Sequence, residues 1–298
     1  MKVGLIGAGL MGHGMALNLL KHGHEVSVLA HRNRAPVDDL VSRGAKEAPD
    51  LAQVARGREI ILLCLSTSTV VEDTVRRLTP HLRSGQCIVD AGTSQPESTR
   101  RLALELSSLG IGYADAPLTG GPEQAATGEL GVLCGADEKT FAILAPLLEC
   151  FATTIRHMGP PGSGHTAKLI SNYLVTGMIA LVAEAFAAAS KAGIDACGLY
   201  EAMLKGSGNS GVLRKMMAPA LNGDYDGYRF SIANAAKDIS YYTVMAEALG
   251  CGSPLAQAVG EYFAEAVDRG HGGRNVSQLL GPAMDEGASH AGRQGQGQ

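Results

Sequence analysis

Between Gly159 and Asn172 the chain reads G-P-P-G-S-G-H-T-A-K-L-I-S-N, a glycine-rich turn that opens a long apolar run carrying Lys168 and, four residues on, Asn172. Residues four apart share one face of an α-helix, so the spacing projects the two side chains together, about one turn apart. A lysine in an apolar helix loses hydration, which favours its neutral form and suits it to exchange a proton near neutrality. An amide one turn away can donate and accept, and so orient a substrate without adding charge. The pair points to acid–base chemistry. His165, three residues before Lys168, is the runner-up for the acid.

Other segments indicate what the chemistry acts on. Gly7-Ala8-Gly9-Leu10-Met11-Gly12 follows an apolar run and opens a helical pattern, the context in which G-x-G-x-x-G binds a dinucleotide. Its glycines allow a tight turn, a close approach to pyrophosphate and close helix packing, and the helix N-terminus favours the phosphates. Leu29-Ala-His-Arg-Asn-Arg34 offers no carboxylate until Asp38. An acid there would hold the ribose hydroxyls of NAD, whereas His31 and Arg32, with Arg34, would hold a 2′-phosphate, so NADP(H) is expected over NAD(H). The competing reading is ordinary solvated charge. Leu63-Cys-Leu65-Ser66-Thr67 and Asp90-Ala-Gly-Thr93-Ser94-Gln-Pro96 each end an apolar run in small polar residues, at the sheet edge where a cofactor lies. Thr93 or Ser94 would contact the nicotinamide ribose, cap the next helix, or do both. Thr119-Gly120-Gly121 presents a hydroxyl and closely spaced backbone N–H groups, an arrangement that suits a carboxylate; a plain turn is the alternative.

Two kinds of element must position these residues. Apolar runs at Lys2–Gly7, Glu25–Ala30, Glu59–Leu65, Gln86–Asp90, Gly110–Asp115 and Gly131–Gly135 alternate with helical patterns such as Pro96–Leu109 and Glu138–Leu148. That alternation predicts an α/β fold with a mostly parallel sheet covered on both faces. Beyond Gly164 the patterns are helical, over 164–192, 195–205, 211–222, 231–249 and 254–269, and no strand is expected. The expected domains are a dinucleotide-binding one over 1–162, an all-helical substrate and oligomerisation domain over 163–285, and a disordered tail over 286–298.

Composition narrows the function classes. A length of 298 residues favours two domains, and a net charge of −4 with scattered basic residues argues against a nucleic-acid partner. The nine histidines do not cluster with carboxylates at ligand spacings, so no metal site is expected. Six cysteines lie far apart without a C-x-x-C pair, and a strand starting at residue 2 leaves no room for a signal peptide; both suggest a reducing, cytoplasmic setting. The apolar run Leu169–Ala189 contains Asn172 and Glu184 and is flanked by Lys168 and Lys191, which favours a buried helix over a membrane span.

Together these residues resemble the β-hydroxyacid dehydrogenase family, which includes 3-hydroxyisobutyrate dehydrogenases and tartronate, succinic and glyoxylic semialdehyde reductases. The resemblance runs to about Leu280. It rests on G-A-G-L-M-G with Met15-Ala-Leu-Asn18, D-A-P-L-T-G-G at Asp115–Gly121, the Gly159–Asn172 stretch, and Lys237-Asp238. It implies an N-terminal Rossmann doubly wound sheet followed by an all-α domain of the 6-phosphogluconate dehydrogenase-like type, joined by a long interdomain helix and assembled as a homodimer or homotetramer. It also implies that Lys168 is the catalytic lysine, Asn172 positions the substrate, and Thr119–Gly121 binds its carboxylate. Thr93 and Lys237 are expected at the cofactor. The implied substrate is a small carboxylated aldehyde or hydroxy acid. Where Thr119 stands the family more often has serine, so a methyl is added beside the retained hydroxyl; K-D-L becomes Lys237-Asp-Ile239; and NAD-preferring members carry an acid where His31 stands. Imine reductases share the implied fold but usually replace the catalytic lysine. A cofactor-binding protein without turnover is the reading from a different class.

Overall fold

The apolar runs of the N-terminal half form strands because their side chains can be buried on both faces at once. The strands are β1 (Lys2–Ile6), β2 (Glu25–Leu29), β3 (Lys46–Ala48), β4 (Ile60–Leu63), β5 (Cys87–Asp90), β6 (Gly112–Asp115), β7 (Leu118–Thr119), β8 (Leu130–Gly135) and β9 (Ala152–Gly159). Among them run α1 (Leu10–Lys21), α2 (Ala35–Ser42), α3 (Leu51–Ala55), α4 (Ser68–Leu78), α5 (Pro96–Ser107), α6 (Pro122–Thr127) and α7 (Glu138–Leu148). This computed structural model describes residues 1–31 and 33–281, so Arg32 and the tail expected over 286–298 lie outside the described residues.

One sheet has the order β3-β2-β1-β4-β5-β6-β8-β7, with β9 on the far side of β8. Pairing is parallel from β3 through β6. β8 runs antiparallel to β6 and β7 and parallel to β9. Successive strand residues face opposite ways, and β4 shows it: Ile60 and Leu62 join a core with Met15 and Leu19 of α1, whereas Ile61 and Leu63 join one with Val71 of α4 and Leu102 of α5. Each fully buried side chain of this size contributes about 1.5–3 kcal/mol. Strand order reverses between β1 and β4, which places a crevice beyond their carboxyl ends, beside the loops after β1, β4 and β5.

Three strands depart from expectation, and each has a physical reason. β3 and β7 are three and two residues long, too short to carry a pattern. β9, A-T-T-I-R-H-M-G, is mostly exposed at the sheet edge, where polar side chains discourage further pairing, so it lacks the apolar run that marks a central strand.

The chain divides into two compact units, Met1–Lys168 and one beginning at Leu169. The division falls within α8 (Ser163–Lys191), whereas the domain boundary is expected between 162 and 163. By length and composition alone α8 could cross a membrane; its Ile179 and Ala183 are packed in the core of the second unit. That unit continues with α9 (Ala196–Lys205), α10 (Gly211–Ala220), α11 (Ile232–Ala248) and α12 (Pro254–Ala266). Asp195, Ser210, Ser231 and Ser253 each cap one of these helices by accepting a backbone N–H, which accounts for where the helices start. Val212, Met216, Ile232, Phe263 and Val276 complete the core with α8. Among the described residues the unit holds no named strand, only an isolated bridge between Ser231 and Asn275.

Candidate active site

The loop after β1 has the shape its glycines require. Gly7 has φ +102°, in the left-handed region, and a Cβ on Gly12 would lie 1.9 Å from the Gly7 carbonyl oxygen, so a side chain there would push α1 off β1. Gly9 faces open space. It caps α1 without a side-chain hydrogen bond, and the first turn of α1 contains no acid. Leu10 is exposed and Met11 partly so. This turn therefore offers free backbone N–H groups and the positive end of a helix dipole to an anion, and the residues present fit a dinucleotide pyrophosphate.

At the end of β2, His31 is exposed. Arg34 is already engaged: its guanidinium forms a forked pair of 3.0 Å hydrogen bonds with Glu47 and a 3.2 Å bond with Asp38. These carboxylates, Glu47 first, raise the Arg34 pKa, and Arg34 in turn holds the Glu47 carboxyl below its usual range. An Arg34 free to meet a 2′-phosphate is thus not what the structure shows. A carboxylate 13 positions away made that invisible to local reading.

The loops after β4 and β5 lie side by side. Leu65 is partly buried, Ser66 is exposed, and burial pushes the Cys64 thiol up to about 12, which leaves it un-ionised. Asp90, fully buried, accepts from the Gly92 N–H at 2.9 Å and from the Ser94 hydroxyl at 2.7 Å. Ser94 is therefore spent on holding its own loop, whereas Thr93 keeps part of its surface. Neither Thr93 nor Ser94 caps α5, contrary to one of the two roles expected for them: the cap is Gln95, without a side-chain bond.

Thr119 ends β7 opposite Gly131, Gly120 has φ +108°, and the Gly121 N–H donates to Gln124 Oε1 at 2.9 Å. One of the N–H groups expected to receive a carboxylate therefore has an internal partner here. The helix after this turn, α6, is tied to α1 by Asn18, whose Nδ2 donates to the Ala125 carbonyl at 2.9 Å.

The start of α8 is held by a residue the sequence reading left without a role. Asp115, at the end of β6 and fully buried, accepts from the Gly162 N–H at 2.7 Å and the His165 N–H at 2.6 Å. A Cβ on Gly164 would lie 2.3 Å from the Leu133 carbonyl oxygen, so the glycines of G-P-P-G-S-G let the helix start press against the sheet. Desolvation raises the Asp115 pKa, while His165 and the two N–H groups pull it back. His165 is itself fully buried, with Nδ1 2.8 Å from Thr99 Oγ1, and has no surface with which to act as an acid on a substrate. Lys168, one turn on, is partly exposed.

In the second unit, Asn172 donates from Nδ2 to Asp238 Oδ2 at 2.6 Å, and both side chains are buried. Lys237 Nζ lies 2.9 Å from Asp238 Oδ1 and 5.3 Å from the Tyr241 ring centroid. A carboxylate only accepts, so Asn172 must turn its nitrogen toward Asp238, which leaves its carbonyl oxygen on the other side.

Comparison with known proteins agrees with this architecture. Residues 2–159 match the family described as the NAD binding domain of 6-phosphogluconate dehydrogenase, and residues 162–283 match the one described as NAD-binding of NADP-dependent 3-hydroxyisobutyrate dehydrogenase. The chain is 32% identical to 2-hydroxy-3-oxopropionate reductase of Escherichia coli (strain K12) over 298 residues, covering 97% of this chain and 99% of that one. It is 31% identical to 3-hydroxyisobutyrate dehydrogenase of Pseudomonas aeruginosa, covering 93% and 96% of the two chains. The solved Mycobacterium tuberculosis 3-hydroxyisobutyrate dehydrogenase with L-serine superposes with a TM-score of 0.84 at 25% identity, covering 94% of this chain and 97% of that one. With a glycine turn fit for a pyrophosphate and matches along nearly its whole length, this chain belongs to the β-hydroxyacid dehydrogenase family and is an NAD(P)-binding oxidoreductase.

Proposed function

We propose that the protein interconverts a short β-hydroxy acid and the corresponding semialdehyde carboxylate, with Lys168 as the general acid and base. The observation that carries this reading is the buried clamp on Asn172. One turn beyond a lysine, an amide is held at 2.6 Å by a buried carboxylate, which orients a polar group the helix itself has no use for. A nicotinamide cofactor held by the Gly7–Gly12 turn would supply hydride to the substrate's carbonyl carbon, or accept it in the reverse direction. As negative charge develops on the substrate oxygen, the Lys168 ammonium stabilises it and gives up a proton. In oxidation the neutral amine takes the alcohol proton. Thr119 and the Gly120–Gly121 backbone receive the carboxylate, with Gln124 releasing the Gly121 N–H as the substrate binds. The two curated relatives are named for compounds whose reacting oxygen is on the carbon β to a carboxylate, which supports that substrate geometry.

On the cofactor side, Gly7–Gly12 would hold the pyrophosphate, Leu65, Ser66, Thr93 and Lys237 would make the nicotinamide-side contacts, and His31 and Arg32 would hold a 2′-phosphate. NADP(H) is preferred because no acid stands at the end of β2. Six unpaired cysteines fit the cytoplasmic setting we propose. NADPH oxidation with a panel of short semialdehydes tests the whole reading. Lys168→Met is expected to keep NADPH binding and to lose about 10²–10⁴-fold in kcat. Near-normal turnover in that variant sinks the assignment. Flat traces from the wild type with every carbonyl, despite tight NADPH binding, would favour a binding protein.

A further inference from the structure

Beneath the start of α8 lies a polar cluster with no exposed surface and no part in the chemistry above. His165, Asp90 and Asp115 are each 0% exposed. The imidazole sits between the two carboxylates: Nε2 is 3.7 Å from Asp90 Oδ2, and Nδ1 is 3.7 Å from Asp115 Oδ2. His165 thus lies within ion-pair distance of both acids. Asp90 organises the loop after β5 through Gly92 and Ser94, and Asp115 organises the start of α8 through Gly162 and the His165 backbone. The ring therefore stands where two separately built loops meet.

Its two nitrogens are not equivalent. Nδ1 is 2.8 Å from the Thr99 hydroxyl, which can donate to a bare nitrogen or accept from a protonated one, so Nδ1 is satisfied either way. Nε2 is buried without a hydrogen-bond partner. A bare lone pair there would face the Asp90 carboxylate at 3.7 Å, which is repulsive in a low-dielectric interior; a hydrogen makes the same contact attractive.

We propose that His165 is a positioning residue: it carries a hydrogen on Nε2 aimed at Asp90 and, by bridging Asp90 and Asp115, locks the start of the Lys168 helix to the loop that carries Thr93. The effect on catalysis rests on the reading of Lys168 as the acid. The bridge holds the lysine at a fixed distance from the loop beside the nicotinamide, and a displacement of about 1 Å at such a position can cost about a hundredfold in rate.

Two measurements test this. In uniformly ¹⁵N-histidine-labelled enzyme, His165 is expected to show a hydrogen attached to Nε2 at neutral pH; a bare Nε2 overturns the proposal whatever the activity. The second compares His165→Gln, whose amide nitrogen takes the place of Nε2, with His165→Met, similar in volume but without a donor. Gln is expected to stay within about threefold of wild-type kcat, and Met to lose about 10–100-fold, with the NADPH Kd of both nearly unchanged. Equal kcat in the two variants overturns the proposal, because a packing role alone would not separate them. If the Met variant does not fold, the nitrogen spectrum of the wild type decides. Near-normal turnover of Lys168→Met would remove the acid assignment yet leave the Nε2 signal intact, so the two failures can be told apart.

Discussion

Asp238 holds two of the residues we propose for the site. It takes the Asn172 amide on one oxygen and the Lys237 ammonium on the other, and it is 3% exposed. Removing a buried carboxylate leaves the Asn172 amide without the acceptor that orients it, so Asp238→Ala is expected to lower kcat/KM about 10–100-fold, while Asp238→Asn, which can still accept from Asn172, should fall between. Steady-state kinetics at saturating NADPH distinguish the three; an unchanged kcat/KM in the alanine variant would show that Asn172 needs no clamp. Glu47 makes a second case. It occupies the Arg34 fork beside the expected 2′-phosphate position, so Glu47→Gln removes the charge that holds the guanidinium there, leaves the bond to Asp38, and should tighten NADPH binding about two- to fivefold without changing NADH binding, as fluorescence titration would show. A loss of NADPH affinity would mean that Glu47 positions Arg34 rather than competing for it. At this scale the sequence was legible where chemistry is local. The glycines of Gly7–Gly12 and the Lys168–Asn172 spacing announce themselves within a few residues. Asp238 lies 66 positions from Asn172, and Asp115 lies 47 and 50 positions from the N–H groups it receives, so no local pattern could join them.

Elements were legible in proportion to how much apolar surface they bury. β1, β4 and β5 are nearly continuous apolar runs because both faces are covered, whereas β9 is an exposed edge strand and reads as a loop. Helix ends were legible where a side chain caps them locally. Asp137 starts α7 by accepting from both the Thr140 hydroxyl and the Thr140 N–H. Those two bonds, the hydroxyl's first, hold its carboxyl below the usual aspartate range. A depressed folded-state pKa gives stability that is present above the unfolded value and lost as pH falls through the folded one. Asp137→Ala should therefore cost about 0.5–2 kcal/mol near pH 7, and the gap to wild type should close once pH drops well below the ordinary value of 3.8. Urea unfolding at neutral and acid pH measures both ends; a gap that persists in acid would mean that the lost cap is not the cause. The start of α8 is held from β6 instead, by Asp115 accepting from the Gly162 and His165 N–H groups, which ties the lysine helix to the sheet.

At the scale of the whole molecule, the exposed face of α8 bears on assembly. Leu169, Thr176, Ile179, Ala183 and Phe186 are buried along the helix, yet Ile170, Leu174 and Leu181 are 53%, 64% and 67% exposed. Their spacing places them on a second stripe, continued by the exposed Ala185 and Ala188, so the helix is apolar on more than the face its own unit covers. The same composition that lets α8 pass for a membrane span is what a helix needs when one face packs inward and another meets a second chain. A homodimer or homotetramer built on this stripe is the assembly we expect. Covering a leucine contributes about 1.5–3 kcal/mol, and each pair of α8 stripes brings at least two such side chains from each copy. Leu174→Glu with Leu181→Glu should therefore weaken association by at least a hundredfold and yield monomer at micromolar concentration, as light scattering on a sizing column would report. A wild-type protein that runs as a monomer at that concentration would overturn the expectation. A double variant that stays assembled would move the interface away from α8.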